Sequence, residues 1–191
     1  MGTAVDEARG FTARTAMTLD EDGAMARAAT LDPRAFAAIY ERHRTPVYRY
    51  LRSRTTSNDE AGELCAVTFE RALIAIRHFR PSGGGLLAWL LRIARNAHID
   101  ATRRSRRHLI HRDGAWEDGT ADPGPGPEDQ AILRSLIGAL SEGQRDVLQL
   151  RFSAGLTARE IAAVLGSSEE AAQKRLERAL QSLKEAYHHV D

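Results

Sequence analysis

The spacing of apolar residues predicts helices along almost the whole chain. From Asp20 to Arg104 apolar side chains recur at three- and four-residue steps, and the same period returns after Glu128. The buried positions predicted for the first long helices are Phe36, Ile39, Tyr40, Val47, Leu51, Cys65, Phe69, Ala72, Leu73 and Ile76. No segment of useful length alternates apolar and polar residues as a strand does. The pattern therefore predicts an all-α protein.

Prolines and glycines predict where these helices begin and end. Asp32 precedes Pro33, which is the order of an N-cap and a first-turn proline, and Pro46 is expected to kink the helix that follows. A new helix is expected at Asn58 or Asp59. The sequence PSGGG, residues 81–85, interrupts the period before a further helix. That helix is expected to bury Leu86, Trp89, Leu90, Ile93 and Ala97 and to expose Arg92, Arg95, Asn96, Ile99 and Arg103.

A change in composition divides the chain into two parts. Residues 108–127, HLIHRDGAWEDGTADPGPGP, are rich in Gly, Pro and Asp and have no apolar period, which predicts a linker. A random coil of ~20 residues spans on average about 25 Å. The predicted organisation is a disordered tail (1–19), a helical domain (20–107), the linker (108–127) and a second helical domain (128–191).

Residues 155–183, GLTAREIAAVLGSSEEAAQKRLERALQSL, have the pattern of a helix-turn-helix. Thr157 and Ser168 are placed to cap its two helices, and Gly166 supplies the turn. In the second helix Ala172, Leu176, Ala179, Leu180 and Leu183 are expected to face inward, and Gln173, Lys174, Glu177, Arg178 and Gln181 outward. Such an outer face suits contacts to base edges and phosphates in a DNA major groove. The same pattern also fits an ordinary helical pair, and Glu169 and Glu170 would repel phosphates.

The net charge of +1 conceals a local excess of positive charge. Arginines crowd residues 92–112, where Asp100 is the single carboxylate. These arginines are Arg92, Arg95, Arg103, Arg104, Arg106, Arg107 and Arg112. A run of one sign is an electrostatic footprint for phosphate, although a solvated face is the ordinary alternative.

Composition also excludes several classes. No stretch approaches the roughly 20 apolar residues of a membrane span, and the N-terminus lacks the apolar centre of a signal peptide, so a cytoplasmic protein without a membrane segment is expected. The single cysteine, Cys65, has no CxxC or Cys/His spacing. Neither a metal nor another cofactor is indicated.

Two segments resemble a known family. Residues 79–107, FRPSGGGLLAWLLRIARNAHIDATRRSRR, resemble region 2 of the extracytoplasmic-function (ECF, group 4) sigma factors, members of the sigma-70 family of bacterial RNA polymerase. Residues 138–168, GALSEGQRDVLQLRFSAGLTAREIAAVLGSS, are similar to the start of region 4. The resemblance implies a non-enzymatic protein that binds the beta-prime and beta subunits of core polymerase, recognises −10 and −35 promoter elements and promotes DNA melting. It leaves open whether an anti-sigma factor binds the chain.

The resemblance also implies roles for individual residues. A pocket for a flipped base of the −10 element would be formed by Phe79, Pro81, Ser82, Gly83, Gly84, Gly85 and Asn96. The DNA backbone would be held by Arg92, Arg95, Arg103, Arg104, Arg106 and Arg107. The −35 element would be contacted by Ser168, Gln173, Lys174, Glu177 and Arg178. Core polymerase would be contacted by Asp59, Glu63, Ala66, Val67 and Glu70, where this chain reads ELCAVTF and the family commonly reads DLVQEVF. Trp89 is expected to pack in the core.

Three other functions are compatible with parts of the sequence. A stand-alone repressor or activator would use the helix-turn-helix but leaves the arginine-rich helix and glycine loop without a role. A nuclease could use Asp100 with His98 or His111, but no carboxylate pair or metal-ligand spacing accompanies them. A protein that only sequesters polymerase is a third alternative. The two ordered motifs favour the sigma factor.

Overall fold

The structure is a computed structural model that describes residues 20–81, 84–108, 136–138 and 140–188, without the side chains of residues 106–108 and 188. Regular structure in these residues is entirely helical, as the apolar period predicts. None of the helices in this part of the chain is long and apolar enough to cross a membrane. The predicted N-terminal tail and nearly all of the predicted linker lie outside the described residues.

The first domain is a bundle of four helices. These are α1 (residues 20–31), α2 (Phe36–Arg52), α3 (Asn58–Ala75) and α4 (Gly85–His108), with short 3-10 turns at Pro33–Ala35 and Ile76–His78. Helices α2, α3 and α4 pack against one another. Capping explains two of the boundaries, since the Asp32 side chain accepts a hydrogen bond from Arg34 N at 3.0 Å and the Ser57 hydroxyl accepts one from Glu60 N at 3.1 Å. Helix α2 is continuous through Pro46.

The second domain contains the helix-turn-helix. Residues 136–138 are helical and are followed by α5 (Glu142–Phe152), α6 (Ala158–Leu165) and α7 (Glu169–His188). Ser141 and Thr157 each form a capping box with a residue three positions later, Gln144 and Glu160 respectively. Gly166 ends α6 in the left-handed conformation, with φ of 66°, which confirms the predicted turn.

The two domains pack against each other and share one hydrophobic cluster. Helix α4 of the first domain contacts α6 of the second, and the cluster runs from Leu51 and Leu90 to Leu150 and Ile161, all fully buried. Gly84, which immediately precedes α4, and Ala88, Leu91 and Arg95 on α4 form a stripe at helical spacing. Contacts at both ends of this stripe, at Gly84 and Arg95, are to the second domain.

Three residues predicted to be buried are instead exposed. Tyr40, Leu73 and Leu180 are 41%, 41% and 40% exposed. Each lies at the margin of its helix's apolar face, so part of the side chain stays open to solvent. Tyr40 still packs edge-on against Phe69, with ring centroids 4.8 Å apart.

Candidate nucleic-acid interface

Helix α4 presents a polar and positively charged face. Arg92, Asn96 and Arg103 are exposed on it, as the period predicts, and Arg104 is exposed beside them. Arg106 and Arg107 continue the helix, but their side chains lie outside the described residues. This face could hold a nucleic-acid strand through its phosphates, while the Asn96 amide offers both a donor and an acceptor to a base edge.

The glycine loop leads directly into this helix. Pro81 is exposed, Gly84 is buried, and Gly85 begins α4 with a φ of 64°, whereas Ser82 and Gly83 lie outside the described residues. The end of the loop is fixed from α1, because the buried Asp22 carboxylate accepts a hydrogen bond from Leu86 N at 2.7 Å. Burial raises the pKa of Asp22, and this hydrogen bond partly opposes the rise. No pattern in the sequence predicts this role for Asp22.

The aromatic residues near the loop pack against each other. Phe79 is buried, and its ring meets Trp89 edge-on with centroids 5.4 Å apart. Trp89 therefore packs in the core as expected. In this conformation Phe79 supports the loop from within the domain, and its assignment to a base pocket stays a prediction.

Arg95 has a partner in the other domain. Its Nε donates to Asp146 Oδ2 of α5 at 2.9 Å, and Arg54 Nη2 donates to Asp146 Oδ1 at 2.6 Å. The Tyr50 hydroxyl donates to the same Oδ1 at 3.1 Å. Arg95 is thus the residue of the predicted DNA-backbone set that makes an ion pair within the described structure.

The outer face of α7 is exposed as predicted. Gln173, Lys174, Glu177, Arg178 and Gln181 are all open to solvent, and the Ser168 hydroxyl caps the helix by accepting from Ala171 N at 3.2 Å. Lys174 Nζ lies 2.7 Å from Glu170 Oε1, so the charge of Glu170 is locally compensated. Arg175, which the sequence analysis omitted, is also exposed and extends this face.

The face of α3 predicted to contact polymerase is open. Asp59, Glu63, Ala66 and Glu70 are exposed, and Val67 is half-buried. Most of this face is acidic, and it points away from the buried side formed by Cys65 and Phe69.

The residues of the nuclease alternative do not form a catalytic cluster. Asp100 pairs with Arg71 at 3.0 Å on the surface, and His98 is half-buried. Burial, followed by the positive charge of Arg54, lowers the pKa of His98. His111 lies outside the described residues. In the portion of the chain that the structure describes, no three His, Cys, Asp or Glu side chains are grouped to hold a metal ion.

Sequence reasoning missed the residues that join the domains. Asp146 occupies an inward position of α5 beside the buried Val147 and Leu150, and Arg54 follows the end of α2. An acidic residue at a buried helical position was the one available signal, since such a charge requires a partner. Its partners lie more than 50 residues away and follow no pattern within their own helices.

Two helical domains with a basic helix, a glycine loop and a helix-turn-helix define a promoter-binding class of protein. The sigma-70 region 2 family model matches residues 39–108, and the sigma-70 region 4 model matches residues 136–185. The chain belongs to the ECF sigma factors of the sigma-70 family. Sigma factors are non-catalytic RNA polymerase subunits that direct promoter recognition and transcription initiation.

Individual relatives agree with this assignment. The chain is 33% identical over 180 residues to the ECF RNA polymerase sigma factor SigD of Mycobacterium tuberculosis, covering 86% of this chain and 82% of SigD. It is 34% identical over 157 residues to the ECF RNA polymerase sigma factor BldN of Streptomyces coelicolor, covering 78% of this chain but 59% of BldN. A solved structure of CnrH in complex with the cytosolic domain of CnrY matches with a TM-score of 0.64 and 28% identity, covering 87% of this chain and 96% of CnrH.

Proposed function

We propose that the first domain of this chain binds the −10 promoter element and that the second binds the −35 element, while α3 holds the chain on core polymerase. The observation that carries the proposal is the exposure of the polar outer faces of α4 and α7, which belong to different domains. Each face has the donors and positive charges that DNA recognition requires.

At the −10 element the proposed chemistry is capture of an unstacked base. Asn96 is exposed one turn from Arg92, so its amide can hydrogen-bond a base edge while the arginine holds a neighbouring phosphate. The Pro81–Gly85 loop borders the same helix and would close the pocket. Capture of a single-stranded base stabilises the open duplex, because a base held in the pocket cannot pair again.

At the −35 element α7 would lie in the major groove. Gln173, Lys174 and Arg178 are exposed within its first three turns, where the N-terminal part of a recognition helix approaches base edges. The Ser168 cap fixes the start of the helix. Glu177 accepts a hydrogen bond from Gln173 Nε2 at 3.0 Å, which orients the Gln173 amide before DNA binds.

The acidic face of α3 would bind a basic surface of polymerase. Asp59, Glu63 and Glu70 supply the charges, and Ala66 and Val67 between them provide an apolar contact. Membership of the sigma-70 family supports a cytoplasmic location for this activity. CnrH was solved in complex with the cytosolic domain of CnrY, which supports a regulatory protein partner, such as an anti-sigma factor, for this chain as well.

Transcription reconstituted from purified components tests the proposal. The chain is added to core polymerase with a library of genomic promoter fragments, and transcript starts are mapped, with a known sigma factor in parallel. We expect initiation at a defined promoter set, and none without the chain. Absence of initiation at every fragment, with the parallel sigma factor active, would contradict the proposal. Salt-dependent specific DNA shifts by the chain alone would favour the stand-alone repressor or activator.

A further inference from the structure

The contact between the two domains is centred on one buried carboxylate. Asp146, on α5 of the second domain, is 5% exposed, and the Arg54 side chain of the first domain that pairs with it is 7% exposed. Arg95 and the Tyr50 hydroxyl complete the set of first-domain donors around the two carboxylate oxygens. The Ser53 hydroxyl also contacts Gln149 Oε1 one turn further along α5. Three donors of the first domain, on Tyr50, Arg54 and Arg95, therefore reach this one carboxylate.

The donors form an anion site that the carboxylate does not fully occupy. Two guanidinium groups share the two oxygens of Asp146, and the Glu142 carboxylate also acts electrostatically on Arg95. Arg54 Nε is buried and has no hydrogen-bond partner within the described part of the chain. The Arg54 guanidinium lies 4.6 Å from the centre of the Tyr50 ring, which helps to fix its orientation. An anion with more oxygen atoms, such as a phosphate, could satisfy donors that Asp146 leaves open.

The site adjoins the proposed DNA-binding face. Arg95 lies on α4 between Arg92 and Asn96, which are exposed and assigned to the promoter. A backbone phosphate of the bound strand is therefore the nearest available anion once Asp146 has left. A carboxylate of polymerase is less favoured, because the face assigned to polymerase is on α3 and is itself acidic.

The second domain must move before both promoter elements can be bound. In the described structure α6 packs on α4, and Glu160 Cα lies 3.3 Å from the position that a Cβ on Gly84 would take. The −10 and −35 elements are centred about 25 base pairs apart, or roughly 80 Å on straight DNA at 34–36 Å per turn. Domains in contact cannot reach both, so opening removes Asp146 from Arg54 and Arg95.

We propose that Tyr50, Arg54 and Arg95 form an anion site that holds the Asp146 carboxylate when the domains are closed and a promoter backbone phosphate when they are open. Asp146 and DNA then compete for the same arginines. The closed chain binds promoter weakly, and opening on polymerase releases the site. The contact of Asp146 with Arg54 and Arg95, here the closing contact, is observed in the structure. The contact of the same arginines with a promoter phosphate, here the phosphate contact, rests on the proposed function.

The closing contact is tested on the free full-length chain. Asp146→Ala and Asp146→Asn are compared with the parent by small-angle X-ray scattering at matched concentrations. We expect a larger radius of gyration for both variants, because each removes the charge that the two arginines share. Asp100→Asn is the matched control, since its exposed ion pair with Arg71 lies within the first domain. Unchanged dimensions in both Asp146 variants would overturn the closing contact.

The phosphate contact is tested on holoenzyme bound to promoter DNA over a range of salt concentrations. We expect Arg54→Ala to weaken binding about tenfold for every promoter sequence, as for one lost charge-assisted hydrogen bond. The slope of log affinity against log salt should fall by about 1. Asp146→Ala, which also opens the domains, should bind at least as tightly as the parent, and Arg71→Ala should be unchanged.

The outcomes separate the alternatives. Equal promoter affinity and salt slope in Arg54→Ala and Asp146→Ala would overturn the phosphate contact. Loss of core-polymerase affinity with an unchanged salt slope would overturn it in favour of a polymerase carboxylate. If Arg54→Ala does not fold, Arg95→Ala provides the same test, because that side chain is 31% exposed. If parent holoenzyme initiates nowhere, the proposed function fails, while the scattering result still decides the closing contact.

Discussion

His43 makes the stability of this protein depend on pH in a range that can be measured. The side chain is buried on α2, and Nε2 has no hydrogen-bond partner among the described residues. Burial, followed by the charge of neighbouring Arg42, lowers the pKa of His43 from 6.5 to about 4. The unfolded chain therefore binds this proton more readily than the folded one.

The sign and size of the effect follow from that difference. The pKa of His43 is lower in the folded chain than in the unfolded chain. Neutral His43 therefore costs no stability above pH 6.5, and the free energy of unfolding falls as the pH drops from 6.5 towards 4. At pH 5 the expected loss is about 2 kcal/mol, and the full difference approaches about 3 kcal/mol below pH 4. Asp22 and His98 also titrate with shifted pKa values, so the difference between parent and variant isolates His43.

Urea unfolding of the parent and His43→Leu, followed by circular dichroism between pH 4 and 7.5, measures this difference. We expect His43→Leu to equal or exceed the parent at pH 7.5, because it removes an unpaired buried nitrogen, and to gain progressively on the parent below pH 6.5. His43→Gln should also gain stability relative to the parent below pH 6.5. Because glutamine does not titrate and is not apolar, this variant separates the loss of the titrating group from the effect of an apolar side chain. Parallel curves for parent and both variants through this range would refute the reasoning.

Three further predictions concern recognition and organisation. Asn96→Ala should lose about 1–3 kcal/mol of discrimination at one −10 position, with unchanged core-polymerase affinity; transcription from promoters randomised at each −10 base measures this, and unaltered preferences at equal stability would leave Asn96 a structural role. Limited proteolysis of the free chain, read by mass spectrometry, should cut first between residues 108 and 127, and earlier cutting within residues 86–104 would contradict the domain division. Thr157→Ala should lower the free energy of unfolding by about 1 kcal/mol through loss of the α6 cap, whereas Thr157→Ser, which keeps the capping hydroxyl, provides the comparison.

Local patterns were sufficient to predict the parts of the fold that depend on neighbouring residues. Thr157, Gly166 and Ser168 behave as predicted because caps and turns are formed within a few residues of the chain. The outer face of α7 follows from the helical period alone. Leu73 was predicted wrongly because an apolar residue beside the centre of a buried face is covered only if a second helix reaches it.

Contacts between the domains could not be predicted in the same way. Ala88 and Leu91 are buried, although the apolar period predicts other residues on the inward side of α4. Asp146 is separated by 92 residues from Arg54, and neither sequence neighbourhood specifies the other. Residues buried within one domain were predictable from the helical period. Residues buried between the domains depend on how two surfaces that are distant in the sequence pack together.

The two domains pack closely at Gly84, where the absence of a side chain leaves room for Glu160. A Cβ at this position would lie 2.6 Å from Ala88 Cβ and 3.3 Å from the Glu160 backbone, so even one methyl group requires a main-chain displacement. Gly84→Ala would thus strain the start of α4 in the first domain and also press against Glu160 of the second domain, without altering any charge. The same residue belongs to the proposed base pocket, so its replacement would alter assembly and base capture together. A side chain at this position would therefore disturb both the packing around Glu160 and the proposed base pocket.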